Sequence, residues 1–318
     1  MKMRRLGWTN VDLTTVGLGT WAAGGGGWKF SWGPQSDADS LDTIRRAWEL
    51  GINWIDTAAV YGLGHSEEVV GKALRQMSER PLIATKGGRE WDAKGEIRSN
   101  LRRESIRAEI DASLRRLQVD VIDLYQLHWP EPDELIEEGW ETIAGAVTEG
   151  KIRLAGVCNF NVSQLRRIRS IHPVASLQVP YSLLRRDIES ETLDFCAKNN
   201  IGVVVYSPMQ KGLLMGRLTK EIIQNLPEDD HRRRDPMFQD PRLSAILKMV
   251  EGLRPIARRR GRSVGELAIA WCLRRSEITS AIVGARRPTQ IEETAPGGEW
   301  ELTPEDAEAI ENVFRRQL

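Results

Sequence analysis

The sequence predicts an α/β fold of the closed (β/α)8, or TIM-barrel, type, carried by a single domain over residues 1–318. Three observations lead there. Short runs rich in Val, Ile or Leu alternate with longer amphipathic runs, the pattern of repeated strand–helix units around a parallel sheet. The alternation repeats eight times with no long Pro/Gly/Ser linker, which favours a closed barrel over an open doubly wound sheet. The first strand also lacks the GxGxxG turn of a dinucleotide-binding open sheet. It ends in Gly17-Leu18-Gly19-Thr20-Trp21, and the run Gly24 to Gly27 leads into Trp28-Lys29-Phe30-Ser31-Trp32 without opening a helix. That run reads as a flexible loop rather than a phosphate cradle.

The eight expected strands are Val16 to Leu18, Asn53 to Asp56, Leu82 to Thr85, Val121 to Gln126, Leu154 to Cys158, Ser176 to Gln178, Gly202 to Tyr206 and Ser280 to Val283. Each is short and rich in aliphatic residues, as a strand buried on both faces must be. Helices are expected over Leu41 to Leu50, Ser66 to Leu74, Ser105 to Leu117, Pro132 to Glu149 and Val264 to Arg274. Ser66 is an expected N-cap, with Glu67 and Glu68 placing negative charge on the positive end of the helix dipole. From about Met209 to Asp240 no period is visible, so a long functional or mobile loop is expected there. Its Arg232, Arg233 and Arg234 read as a solvated patch rather than a phosphate contact.

Composition narrows the function. Hydrophobic residues make up 41% and charged residues 28%, the mixture of a globular chain with a substantial core. Lysine plus arginine equals aspartate plus glutamate at 45 each, so no net field favours nucleic acid or an anionic membrane. The basic start MKMRRLGWTNVDLTT is followed by no apolar stretch of signal length, and no run approaches a membrane span. A cytoplasmic location is expected. Cysteines at 158, 196 and 272 suit neither a disulfide framework nor a CxxC knuckle, and the histidines at 65, 128, 172 and 231 form no HxxxH pair. No metal site is expected.

Polar residues at the C-terminal ends of barrel strands point into the mouth where substrates bind. Asp56 and Tyr61 follow the second strand, Lys86 ends the third and His128 ends the fourth. Taken singly each has an ordinary reading: a capped turn, a packed ring, a structural ion pair, a satisfied interior histidine. Together they meet the needs of carbonyl reduction. Hydride addition to an aldehyde or ketone needs a proton donor at the oxygen, which a tyrosine hydroxyl can supply. A lysine ammonium beside it stabilises the phenolate and is expected to lower the phenol's pKa. Asp56 offsets the cost of burying that ammonium, and His128 can donate to the carbonyl oxygen and orient it. Trp21, Trp28, Trp32, Trp91 and Trp129 fall in loops after strands, and an aromatic pocket of Trp21, Trp28, Trp32 and Trp129 around Tyr61 and His128 is a usual small-molecule site.

At this point the sequence resembles the aldo-keto reductase superfamily, over nearly its whole length and in several segments in order. They are Gly17 to Trp21, Asp56 to Gly62, Thr85-Lys86, and Ser113-Leu114-Arg115-Arg116-Leu117 followed by Ile122 to His128. The nearest likeness is to a bacterial-type branch that also resembles potassium-channel β subunits and general-stress or inositol-pathway reductases. The resemblance implies a barrel that binds NADPH without a Rossmann fold and reduces a small carbonyl substrate, with Tyr61 as general acid/base supported by Asp56, Lys86 and His128. It also allows a second function, an NADPH-binding redox sensor with little turnover.

For the cofactor the resemblance implies contacts from Gly19, Thr20, Trp21 and Asp56, carboxamide contacts from Cys158, Asn159 and Gln178, and stacking on Tyr206. Ser207, Pro208, Met209, Gly212 and Leu213 match the run along the pyrophosphate. Gly284, Arg286, Gln290, Glu293 and Thr294 match the segment at the adenosine end. Arg286 can form charge-assisted bonds to a 2′-phosphate, which favours NADPH over NADH. Without the resemblance, Arg286 and Arg287 read equally well as solvent-facing residues. The chain departs from the pattern at Cys158, where serine is usual, and at Thr294, where asparagine is usual; cysteine is the weaker donor.

Overall fold

Each expected strand is present in the computed structural model, which describes residues 1–317. Eight parallel strands close into a barrel: β1 (Val16–Gly19), β2 (Trp54–Asp56), β3 (Leu82–Gly87), β4 (Ile122–Leu127), β5 (Ile152–Cys158), β6 (Ser176–Pro180), β7 (Gly202–Tyr206) and β8 (Ile278–Gly284). Closure is made by β8 against β1, with Ala281 opposite Val16 and Gly284 opposite Gly19. The register carries the strand ends round the mouth: Gly19 lies opposite Asp56, Lys86 opposite Gln126, and Cys158 opposite Gln178.

The other end of the barrel is stoppered by a feature the sequence reading did not anticipate. An antiparallel hairpin, Met3–Arg5 with Asp12–Thr14, brings Leu6, Val11 and Leu13 against Trp54, Ala84, Leu124 and Val204 inside the barrel. Gly17 makes room for the Trp54 indole, since a Cβ there would lie 2.1 Å from the ring. Burying such side chains contributes about 1.5–3 kcal/mol each. The hairpin thereby fills the end of the barrel opposite the strand C-termini.

Helices on the outside bury one face against the strands. The helix Ile136–Thr148 buries Ile136, Trp140, Ile143 and Ala146 at helical spacing, and a 3-10 turn at Asp133–Leu135 replaces its expected start at Pro132. The helix His65–Leu74 starts one residue earlier than expected, and Ser66 is not its N-cap. Gly64 takes that place with φ +103°, while the Ser66 hydroxyl donates inward to the Thr20 carbonyl at 2.9 Å. Glu67 is fully buried, accepting from Thr85 Oγ1 at 2.5 Å and pairing with Arg116 at 2.6 Å.

The segment 209–240 is folded rather than irregular. It contains 3-10 turns at Gln210–Met215, His231–Arg234 and Pro236–Phe238 and a short helix, Lys220–Gln224. Phe238 and Asp230 are buried. Arg232 also departs from the expected solvated patch: its guanidinium pairs with Asp230 at 2.6 Å and lies 4.8 Å from the Trp32 ring centre. Among the described residues no helix is long and apolar enough to cross a membrane.

Candidate active site

The end of β2 and the turn after it bring the candidate groups together. Asp56 is the last residue of β2, and Lys86, inside β3, reaches across to donate from Nζ to Asp56 Oδ1 at 2.6 Å and to the Thr57 carbonyl at 2.8 Å. The same Nζ stands 3.4 Å from Tyr61 Oη. The second Asp56 oxygen accepts from Gln178 Nε2 at 2.8 Å. Tyr61 sits in a turn closed by its N–H on the Ala58 carbonyl. Next to it Gly62, at φ +61°, lies so close to Gly24 that a Cβ would fall 2.1 Å from the Gly24 carbonyl oxygen. Two glycines back to back bring the loop of Trp21 and Trp28 down onto Tyr61.

Burial works against the Lys86 ammonium, but the Asp56 carboxylate, with Tyr61 and Cys158, outweighs it and raises the Lys86 pKa. Lys86 is therefore a fixed cation. Tyr61 corrects an expectation: burial pushes its phenol up to about 12, more than the Lys86 charge pulls it down. The hydroxyl holds its proton at neutral pH. His128 is driven well below its ordinary pKa by burial and then by the Lys86 and Arg89 charges, so its ring is neutral. It meets Tyr61 edge-on at 5.8 Å, and its Nδ1 is buried without a hydrogen-bond partner.

These groups open onto a cavity of about 930 Å³ in the mouth. Gly19, Trp21, Asp56, Tyr61, His128 and Trp129 line it, as do Trp28 and Trp32. Trp21 stacks on Tyr61 at 6.0 Å and on His231 at 5.0 Å, and Trp32 meets His231 edge-on at 4.8 Å. Further round, Asn159, Gln178, Tyr206, Ser207, Pro208 and Met209 line the wall. Tyr206 Oη donates to Asn159 Oδ1 at 2.9 Å, and Asn159 Nδ2 donates to the His128 carbonyl at 3.0 Å, tying the ends of β4, β5 and β7 together. Gly212, Gly284, Arg286, Gln290 and Thr294 complete the far end.

Five expected site residues do not line the cavity. Lys86 lies behind Asp56 and Tyr61, with its side chain fully enclosed. Thr20 is buried and bonds the Asp56 carbonyl. Cys158 is buried with its thiol on Gln126 Oε1 at 3.6 Å, and burial pushes its pKa up. Leu213 packs in the core, and Glu293 pairs with Arg217 at 2.6 Å.

Arg89 is a lining residue that sequence reasoning missed, together with Lys211, His231 and Arg232. Three residues past Lys86, it lies 5.4 Å from the Trp129 ring centre and pairs with Glu131 at 3.2 Å. Beneath it Glu109 accepts from the Gly88 N–H at 3.0 Å and from Ser105 Oγ at 3.3 Å, and burial pushes its carboxyl up to about 7. Native Glu109 thus keeps a proton that the unfolded chain loses, so stability falls as pH rises from about 4.5 to about 7. Glu109→Gln should remove this slope, on the order of 2–3 kcal/mol, in urea unfolding followed across that window. An unchanged slope in the variant would show that Glu109 is not its source.

The sequence profile of the Aldo/keto reductase family matches residues 15–315. The chain is 38% identical to the aldo-keto reductase YhdN of Bacillus subtilis (strain 168), over 98% of this chain and 92% of the relative. It is 36% identical to the NADH-specific methylglyoxal reductase of Escherichia coli (strain K12), over 96% of each. Among solved structures, the glycerol dehydrogenase of Gluconobacter oxydans superposes with a TM-score of 0.89 at 37% identity, covering 99% of this chain and 95% of that one. These likenesses define an oxidoreductase that acts on carbonyl or alcohol groups and uses a nicotinamide cofactor. The chain belongs to the aldo/keto reductase family.

Proposed function

We propose that this chain, as one domain over residues 1–318, binds NADPH in the barrel mouth and reversibly reduces a small aldehyde or ketone, with Tyr61 as the general acid/base. The observation that carries the reading is the Asp56–Lys86–Tyr61 array on the cavity floor: a protonated phenol with a permanent cation 3.4 Å behind it. A bound nicotinamide supplies the hydride equivalent. The chain's own residues do the rest. As negative charge grows on the carbonyl oxygen, Tyr61 gives up its proton, and Lys86 stabilises the phenolate left behind. Neutral His128 donates to the same oxygen and sets its direction. The tryptophan wall excludes water and holds the carbon skeleton.

The residues fit a dinucleotide. Asn159 and Gln178 offer amide groups, and Tyr206 a ring, on one wall beside Tyr61. At the far end Arg286 presents a guanidinium whose side-chain hydrogen bonds all go to neutral acceptors, which suits a 2′-phosphate. Methylglyoxal and glycerol, in the names of two relatives, are small oxygenated molecules of the size this reading requires. Titrating the protein with NADPH should quench its tryptophan fluorescence saturably, since Trp21, Trp28 and Trp32 line the cavity. Absence of saturable quenching would overturn the reading.

A further inference from the structure

Arg286 is gripped by a segment of the mouth loop far away in sequence. Its Nε donates to Gln35 Oε1 at 2.8 Å, its Nη1 to the Trp32 carbonyl at 3.2 Å, and its Nη2 to the Pro34 carbonyl. Gln35 closes the contact in the other direction, donating from Nε2 to the Arg286 carbonyl at 2.9 Å and to Ser40 Oγ at 3.2 Å. On the other flank Gln290 Oε1 accepts from the Arg286 backbone N–H at 2.7 Å. The side chain is thus immobilised from one side and its backbone from the other.

Two features of this grip matter for a ligand. A guanidinium carries five N–H donors. Three are spent on the loop, which leaves one on each terminal nitrogen of a residue that lines the cavity. The acceptors are also all neutral, so they orient the cation without cancelling its charge. Arg232, which lines the same cavity, differs in this respect, because it is paired with the Asp230 carboxylate at 2.6 Å. Arg286 is therefore the cation held ready at this end. Burial, then the Arg232 charge, lowers its pKa against the smaller opposing pull of Asp230 and Asp39, neither of which hydrogen-bonds to it.

We infer that Gln35 is the positioning residue that sets selectivity for a 2′-phosphorylated nucleotide: it fixes the Arg286 fork and, being neutral, leaves its charge to the phosphate. The inference rests on the proposal that NADPH is the cofactor. Glutamate at position 35 keeps the shape and the acceptor but supplies the anion, so it competes with the phosphate for the same guanidinium. Alanine removes the grip and leaves the charge.

The test is equilibrium binding of NADP+ and NAD+ by tryptophan quenching to the wild-type chain and to Gln35→Glu, Gln35→Ala and Arg286→Ala, with a melting curve for each. In Gln35→Glu, NADP+ affinity is expected to fall about ten-fold or more while NAD+ affinity stays within about two-fold, as for loss of a charge-assisted contact. Gln35→Ala is expected to fall between that variant and the wild type. If Arg286→Ala abolishes the NADP+ preference but Gln35→Glu leaves it intact, the inference is overturned and the cofactor reading stands. Equal losses for both nucleotides in Gln35→Glu, with a lowered melting temperature, would make Gln35 merely structural. If the wild-type chain binds NADP+ no tighter than NAD+ and Arg286→Ala changes neither, the cofactor reading itself fails.

Discussion

Replacing Tyr61 with phenylalanine lowers turnover of an aldehyde by about 100-fold or more while leaving the nucleotide dissociation constant within about two-fold. The substitution removes one oxygen and keeps the ring, so the contacts of Tyr61 with Trp21 at 6.0 Å and His128 at 5.8 Å persist. What is lost is the proton. Burial holds it on the phenol up to about pH 12, and only an oxyanion forming within hydrogen-bond reach can draw it off. Lys86 does not replace it, because the Asp56 carboxylate holds its pKa above the ordinary value and its side chain is fully enclosed behind the cavity wall. Single-turnover rates with saturating nucleotide, set beside a separate nucleotide titration, distinguish loss of chemistry from loss of binding. Near-normal turnover in the variant would remove Tyr61 as the donor.

The barrel was legible because its strands are buried on both faces, which leaves compact aliphatic runs such as Gly202 to Tyr206 between polar helices. The strand positions carry Asp56 and His128 to the cavity and Lys86 to just behind it, since a barrel delivers strand-end residues to one mouth. Features made by long-range contacts were not legible. The segment 209–240 has no period because its order comes from Asp230 holding Arg232 beneath Trp32 and from His231 stacking on Trp21. The hairpin at the barrel floor uses three-residue strands, too short to show alternation. Ser66 had the chemistry of a cap, but Gly64 accepted the left-handed conformation the turn required. The proton affinity of Tyr61 is not legible for a related reason: a neighbouring charge can be read from sequence, whereas the depth of burial that outweighs it cannot.

Asp56→Ala is expected to cost about 3–5 kcal/mol of stability, because it removes one partner of a buried ion pair and leaves the other charged. Lys86 and Asp56 have side-chain exposures of 0% and 4%, so the pair is almost wholly withdrawn from bulk water. A loss of that size is a large part of the roughly 5–15 kcal/mol that holds a domain folded. The pH dependence identifies its origin. In the wild-type chain Asp56 keeps the Lys86 pKa above its ordinary value, so the pair's contribution persists at neutral pH and is lost only as pH rises through that raised pKa. Without Asp56, burial prevails and the folded-state pKa of Lys86 drops below that of the unfolded chain. Between those two pKa values the unfolded chain binds more protons, and stability of the variant must rise with pH. Adding Lys86→Met to Asp56→Ala removes the stranded charge and should restore most of the loss. Urea unfolding of the wild-type chain and the two variants between about pH 6 and pH 10 tests this. A flat, near-wild-type curve for Asp56→Ala would show that Lys86 does not depend on Asp56 for its charge, and the fixed cation behind Tyr61 would then need another source.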